Sequence, residues 1–142
     1  MPETYREGTV AYNLANIFFA KAEYETSLKH LRSVEFIDPF YRMAYDMLLM
    51  KNYYECNELE PLLSRLHAYY TYLKRNKTLA ERNREAYMNM AKFLRKLARA
   101  KFEGKSSPEK LKEELGQYAV LVERDWFQKK IQELENTRFS VS

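Results

Sequence analysis

Hydrophobic side chains recur every three or four residues along most of the chain, which is the spacing of helices with one apolar side. The clearest stripe contains Ala86, Met90, Phe93, Leu94 and Leu97. Only 3 glycines and 4 prolines interrupt the pattern. Because these are the residues that most often end helices, their scarcity predicts long helices joined by short turns.

The periodicity predicts seven helices and an all-α protein. The predicted helices span about residues 5–21, 24–36, 39–54, 58–75, 79–103, 108–117 and 121–135. The first is expected to have its apolar stripe along Leu14, Ile17 and Phe18. The stripe expected for the last helix contains Leu121, Val122, Trp126, Ile131 and Leu134.

Residues typical of helix starts precede several of these segments. One type is the capping box, in which a Ser, Thr or Asn is followed three residues later by Glu. The other is an N-cap residue followed by proline at the first helical position. The boxes begin at Thr4, Asn57 and Thr78, and the cap–proline pairs are Asp38-Pro39 and Ser107-Pro108.

Two short motifs nearly repeat along the first half of the chain. Ala11-Tyr12-Asn13-Leu14 returns 33 residues later as Ala44-Tyr45-Asp46-Met47. The pattern of Tyr24, Glu25, Leu28 and Leu31 returns 35 residues later from Leu59 to Leu66. These offsets lie on either side of the roughly 34-residue period of tetratricopeptide helix hairpins.

The chain therefore resembles the tetratricopeptide repeat family. With Gly8 as the first position, the matching residues are Leu14, Ala15, Phe18, Ser27, Leu31 and Pro39. The first repeat departs from the family pattern at Ala11 and Val34, and the second at Leu49 and Pro61. The match is good over residues 8–41, weak over 42–75 and absent beyond. The chain also resembles uncharacterised bacterial helical-repeat regions, which have no known activity.

The resemblance implies a single domain over residues 1–142, built as a short α-α superhelix. Its hairpins would span about 5–36, 39–75 and 79–117, with a capping helix at about 121–135. In the family, the concave groove binds a peptide or a partner helix. The groove residues expected here are Tyr12, Asn13, Asn16, Phe19 and Asp46. Tyr12 stands where the subtype that grips a peptide carboxylate has a lysine, so binding of chaperone tails is not expected.

The charge distribution adds a second candidate surface. Residues 74–105 contain 11 lysines and arginines against three glutamates, whereas both flanking segments are slightly acidic. The candidate basic face contains Lys74, Arg75, Lys92, Arg95, Lys96 and Arg99. Such a face is compatible with a solvated helix surface, an acidic protein partner or nucleic acid. Glu81 and Glu85 at the helix start favour the first alternative, because they complement the helix dipole.

Sequence motifs for catalysis are lacking. His30 and His67 have no metal-ligand spacing, and the lone Cys56 excludes an internal disulfide and a cysteine-based zinc cluster. No glycine-rich phosphate loop is present. We therefore expect no enzyme activity, no cofactor and no metal.

The sequence favours a protein–protein interaction module, with nucleic-acid binding as the alternative. No run approaches the roughly 18 apolar residues of a membrane span, and the N-terminus does not resemble a signal peptide. A cytoplasmic location is the resulting prediction. The partner, the oligomeric state and any further domains stay open.

Overall fold

The computed structural model describes residues 3–38, 41–76 and 81–141, with the side chains of Glu3, Thr4, Arg82 and residues 138–141 excepted. Every regular element in these ranges is an α-helix, which confirms the all-α class. The helices are α1 (Glu3–Ala20), α2 (Tyr24–Arg32), α3 (Arg42–Glu55), α4 (Leu59–Arg75), α5 (Glu81–Glu103), α6 (Pro108–Gly116) and α7 (Arg124–Val141). Their arrangement as a tetratricopeptide-like superhelix stays a prediction.

The chain divides into two compact units, Met1–Arg65 and Leu66–Ser142. The division falls within α4. The first unit contains α1, α2, α3 and the start of α4, and α1 packs mainly against α2. The second contains the rest of α4 together with α5, α6 and α7.

The turn that follows α1 and the turn that follows α3 have the same backbone geometry. Ala22 and Asn57 lie 35 residues apart, and each has a φ of 60°. After each of them, a glutamate N–H donates 2.9 Å to a carbonyl five residues earlier, from Glu23 to Phe18 and from Glu58 to Tyr53. This pattern is the Schellman motif, which ends a helix by satisfying its last carbonyls. The sequence repeat therefore has a structural counterpart in the turns.

A buried polar network joins the first three helices. The Ser27 hydroxyl donates 2.7 Å to the carbonyl of Ala15. The Asn52 side-chain amide donates 2.9 Å to the Ser27 oxygen and 3.1 Å to the carbonyl of Leu48. Ser27 and Asn52 are fully buried. Because burying polar groups is costly unless they are hydrogen-bonded, this network favours one packing of α1, α2 and α3.

The second unit has a core built around Phe93. Its ring meets Phe127 edge-on with centroids 4.8 Å apart, and Tyr118 with centroids 6.2 Å apart. The predicted α5 stripe supplies much of this core, since Met90, Phe93, Leu94 and Leu97 are fully buried. Ser107 caps α6 as expected, because its oxygen accepts from the Lys110 N–H at 3.2 Å.

Several predicted helix ends were wrong. The second helix ends at Arg32 instead of residue 36. The Val34 N–H donates to the carbonyl of Leu31, only three residues back, and the chain then passes close to α1 at Gly8. The last helix begins at Arg124 instead of 121, because Glu123 has a φ of 69° that no α-helix accommodates. It also continues past residue 135, where the Thr137 hydroxyl donates to the carbonyl of Glu133.

Two predicted capping boxes were also wrong. The first helix begins at Glu3, so Thr4 lies inside it. Asn57 adopts the left-handed conformation that ends the preceding helix, and α4 begins only at Leu59. Pro39, the box at Thr78 and the predicted helix starts at 39 and 79 lie outside the described residues.

The buried side of α1 differs from the predicted stripe. Leu14 and Ile17 are 37% and 51% exposed, whereas the small residues Gly8 and Ala15 are buried. A Cβ at Gly8 would collide with the carbonyl oxygen of Phe36, which shows how closely the segment after α2 approaches the helix. The closest packing of α1 therefore involves its small residues, whereas Val10, Leu14 and Ile17 are left at the surface.

Candidate functional site

One side of α1 carries three of the residues predicted to bind a partner. Tyr12, Asn16 and Phe19 follow one another at four and three residues, so they share one helix face. Asn16 is exposed, and its side-chain amide donates 3.2 Å to the carbonyl of Tyr12. The two aromatic rings are half-buried on either side of it. The face thus offers a polar amide between two rings.

Residues from outside α1 extend this face. The ring of Tyr41, just before α3, lies 6.2 Å from the ring of Tyr12. The ammonium of Lys51 on α3 lies 5.0 Å from the centre of the Phe19 ring. We call Tyr12, Asn16, Phe19, Tyr41 and Lys51 the α1–α3 surface. It combines apolar area, an amide and a positive charge.

Asp46 is placed differently from the other predicted groove residues. It is only 6% exposed, and its carboxylate lies 3.3 Å from Arg42 Nε and 3.7 Å from Arg65 Nη1. Burial raises the pKa of the Asp46 carboxyl, and the two guanidinium groups partly oppose this effect. Because two arginines already occupy this carboxylate, we leave Asp46 out of the α1–α3 surface. Asn13 is exposed on α1 but outside the same face.

The contacts of Asp46 and Ser27 include residues that sequence reasoning missed. Arg42 could have been recognised, because it lies one helical turn before Asp46. Arg65 is far along the chain, and nothing in the sequence links it to Asp46. Asn52 could have been suspected of a buried hydrogen bond, because it is a polar residue among the mostly apolar residues of the second half of α3.

The six residues of the predicted basic face are all exposed, but they differ in their partners. Lys96 lies 3.5 Å from Glu114, and Arg99 lies 3.7 Å from Glu103. Within the described part of the chain, Lys92 and Arg95 have no carboxylate at ion-pair distance. Of the four predicted basic-face residues on α5, these two therefore have their positive charge available to a ligand.

Lys92 and Arg95 border a recess of about 230 Å³ between α4 and α5. Its base is apolar, formed by the buried Leu66 and Ala91. Its aromatic wall is Tyr70, with the Lys92 ammonium 5.9 Å from the ring centre. His67 completes the lining, and none of the described residues that line the recess carries a carboxylate. The basic recess thus offers a ring face and positive charge together.

Other groups with chemical potential are less suited to a site. The Cys56 thiol is half-buried, and burial together with Glu25 and Glu58 raises its pKa, which disfavours the reactive thiolate. Among the described residues, no three His, Cys, Asp or Glu side chains come together as a metal site. In the same ranges, no helix is long and apolar enough to cross a membrane.

Comparison with known proteins gives no family for this chain. It matches no protein-family model, no curated protein and no solved structure.

Proposed function

We propose that this protein is an interaction module built from tetratricopeptide-like helix hairpins, and that its α1–α3 surface binds a peptide or a partner helix. The observation that carries the proposal is the alignment of Tyr12, Asn16 and Phe19 on one face of α1, with Lys51 beside them. The matching Schellman turns at Ala22 and Asn57 support the repeat interpretation. A cytoplasmic location stays a prediction from the sequence.

The chemistry of the α1–α3 surface suggests what it would bind. Tyrosine and phenylalanine rings provide large contact area at a low cost in side-chain entropy. The Asn16 amide can hydrogen-bond to an extended backbone. Lys51 would favour an acidic group next to the apolar anchor. A suitable ligand is therefore a segment with one or two large apolar side chains and a neighbouring carboxylate.

Tyr12→Ala and Asn16→Ala test this proposal. Peptides are selected against the wild-type protein from a randomised displayed library, and an enriched sequence is synthesised with a fluorescent label. Fluorescence anisotropy should show that each substitution weakens the Kd by about tenfold or more, as expected for central interface residues. Circular dichroism checks that the helices remain.

Tyr72→Ala is the matched control, since Tyr72 is an exposed tyrosine outside the α1–α3 surface. It should leave the Kd unchanged. Equal binding by wild type, Tyr12→Ala and Asn16→Ala would show that the peptide docks elsewhere. A library that yields no binding peptide would count against the proposal as a whole.

The basic recess supports a second candidate function, the binding of single-stranded nucleic acid. A nucleobase could stack on the Tyr70 ring above the apolar floor formed by Leu66 and Ala91. Lys92 and Arg95 would then contact the phosphates. Stacking on aromatic side chains within a positive groove is how many proteins bind single strands without sequence preference. Binding of a single strand needs both an aromatic ring for stacking and positive charge for the phosphates, and the recess has the two side by side.

The double substitution Lys92→Glu with Arg95→Glu should abolish binding of a labelled mixed-sequence oligonucleotide at low salt. Tyr70→Ala should weaken it by about tenfold or more, through loss of stacking. In the wild type, affinity should fall steeply with salt because counterions are released on binding. Lys129→Glu, an exposed lysine on α7, is the control and should retain most of the affinity. Absence of wild-type binding at low salt would remove this candidate.

A further inference from the structure

The first helix leaves a row of large apolar side chains at the surface. Val10, Leu14 and Ile17 are 52%, 37% and 51% exposed. Phe36, at 53% exposed, lies in the segment that crosses the same helix at Gly8. Clusters of exposed apolar residues, unlike single ones, indicate an interaction surface.

The spacing of this row is that of a coiled-coil seam. Glu7, Val10, Leu14, Ile17 and Lys21 follow one another at intervals of three, four, three and four residues. This 3–4 alternation keeps one narrow stripe facing a second helix. The seam has a carboxylate at its N-terminal end and an ammonium at its C-terminal end. We call these five residues the α1 seam.

The charged ends of the seam determine which partner fits. Leu14 lies midway between Glu7 and Lys21, so a twofold axis at Leu14 pairs the two ends of antiparallel copies. Glu7 then faces Lys21 of the second copy, and Val10 comes near Ile17. A parallel pair would instead place Glu7 against Glu7 and Lys21 against Lys21. The seam is therefore complementary to itself only in the antiparallel direction.

The surroundings of Glu7 strengthen the complementarity. Glu7 borders a recess of about 480 Å³ between α1 and the segment after α2, and Glu35 and Phe36 also line it. In the antiparallel pair, Lys21 of the second copy approaches this recess. It would find two carboxylates for its ammonium and an exposed ring for its aliphatic chain.

We propose that the protein forms a weak symmetric dimer through antiparallel pairing of the α1 seam. The seam lies on the side of α1 opposite the α1–α3 surface, because residues 12 and 14 are about 200° apart around a helix. Dimerisation therefore leaves that surface open and does not depend on the proposed peptide binding. A seam of about two heptads buries less area than a standard stable interface, so a dissociation constant in roughly the micromolar range is expected.

Sedimentation equilibrium of the full chain over a range of concentrations tests the dimer. The wild type should fit a monomer–dimer equilibrium, and Ile17→Asp should sediment as a monomer. Glu7→Lys and Lys21→Glu each turn two attractions into repulsions and should weaken the dimer by about tenfold. The double variant with both reversals should restore it. Lys29→Glu, on the exposed side of α2, is the control and should dimerise like the wild type.

Charge reversal at exposed positions keeps the helices intact, which circular dichroism would verify, so a folding defect cannot mimic the result. A wild type that stays monomeric at the highest soluble concentration would overturn the proposal. So would a dimer that Ile17→Asp leaves unchanged. A double variant no tighter than the two single variants would overturn the antiparallel pairing on which the proposal rests.

Discussion

Gly8→Ala is expected to lower the free energy of unfolding by about 1–3 kcal/mol, the usual cost of an overpacked contact. The added Cβ would collide with the carbonyl oxygen of Phe36 and approach the Val34 side chain to 3.3 Å. The obstacle is largely backbone, which cannot rotate away as a flexible side chain would. The segment after α2 or the helix itself would have to move.

The sign of this effect is what makes it informative. In an unobstructed helix, alanine is about 1 kcal/mol more favourable than glycine. Gly116 supplies the control, because it is the last residue of α6 and a Cβ there meets nothing within 4 Å. Urea denaturation should show Gly8→Ala destabilised and Gly116→Ala unchanged or stabilised. If both variants gained stability, the close crossing at Gly8 would be wrong.

Phe93→Ala is expected to cost about 3–5 kcal/mol, the range for removing a phenylalanine from a well-packed core. Phe93 is fully buried, and its ring contacts those of Phe127 and Tyr118 in edge-on geometry. Alanine would leave a cavity and remove both aromatic contacts. Because a whole domain is usually stable by only 5–15 kcal/mol, the variant would lose much of its stability.

Phe36→Ala is the matched control for Phe93→Ala, since the Phe36 side chain is 53% exposed. Changes at exposed positions usually stay within about 0.5 kcal/mol. Chemical denaturation of the two variants and the wild type measures both values. Similar losses from Phe93→Ala and Phe36→Ala would contradict the position of Phe93 at the centre of the second unit.

The first helix illustrates how one element can serve several contacts. Its small residues Gly8 and Ala15 are buried, which allows close packing with α2. Tyr12, Asn16 and Phe19 form one proposed binding face, and Val10 with Ile17 lies on the opposite one. A peptide ligand and a second copy of the chain could therefore bind α1 together. The two proposals can be tested separately, because they use different side chains.

Local patterns in the sequence were sufficient to predict the helices. All seven predicted helices are present in the described residues, because apolar spacing and the scarcity of glycine and proline act over only a few residues. The α5 stripe was identified correctly for the same reason. The N-cap at Ser107 was also predicted correctly, because it depends only on Ser107 itself and on the Pro108 that follows it.

The candidate sites were less accessible to prediction. The sequence indicated Tyr12, Asn16 and Phe19 as one face, because their spacing is a local property. It gave Asp46 the same role, whereas the structure buries this carboxylate between Arg42 and Arg65. It did not distinguish among the members of the basic face, of which Lys96 and Arg99 are paired with glutamates. The Lys96–Glu114 pair depends on which helices come together, whereas Arg99 and Glu103 lie one turn apart on α5 and could have been recognised as a pair.

What the sequence determined by itself was the number, order and type of the elements, together with the charge asymmetry between segments. Only the tertiary structure decided which side of α1 is buried, where α2 ends and which charges remain available. The physical reason is the range of the forces involved. Helix formation depends on neighbours within a turn or two, whereas burial is decided by contacts between residues far apart in the chain. Gly8 shows the difference, because its small size matters only once Phe36 crosses it.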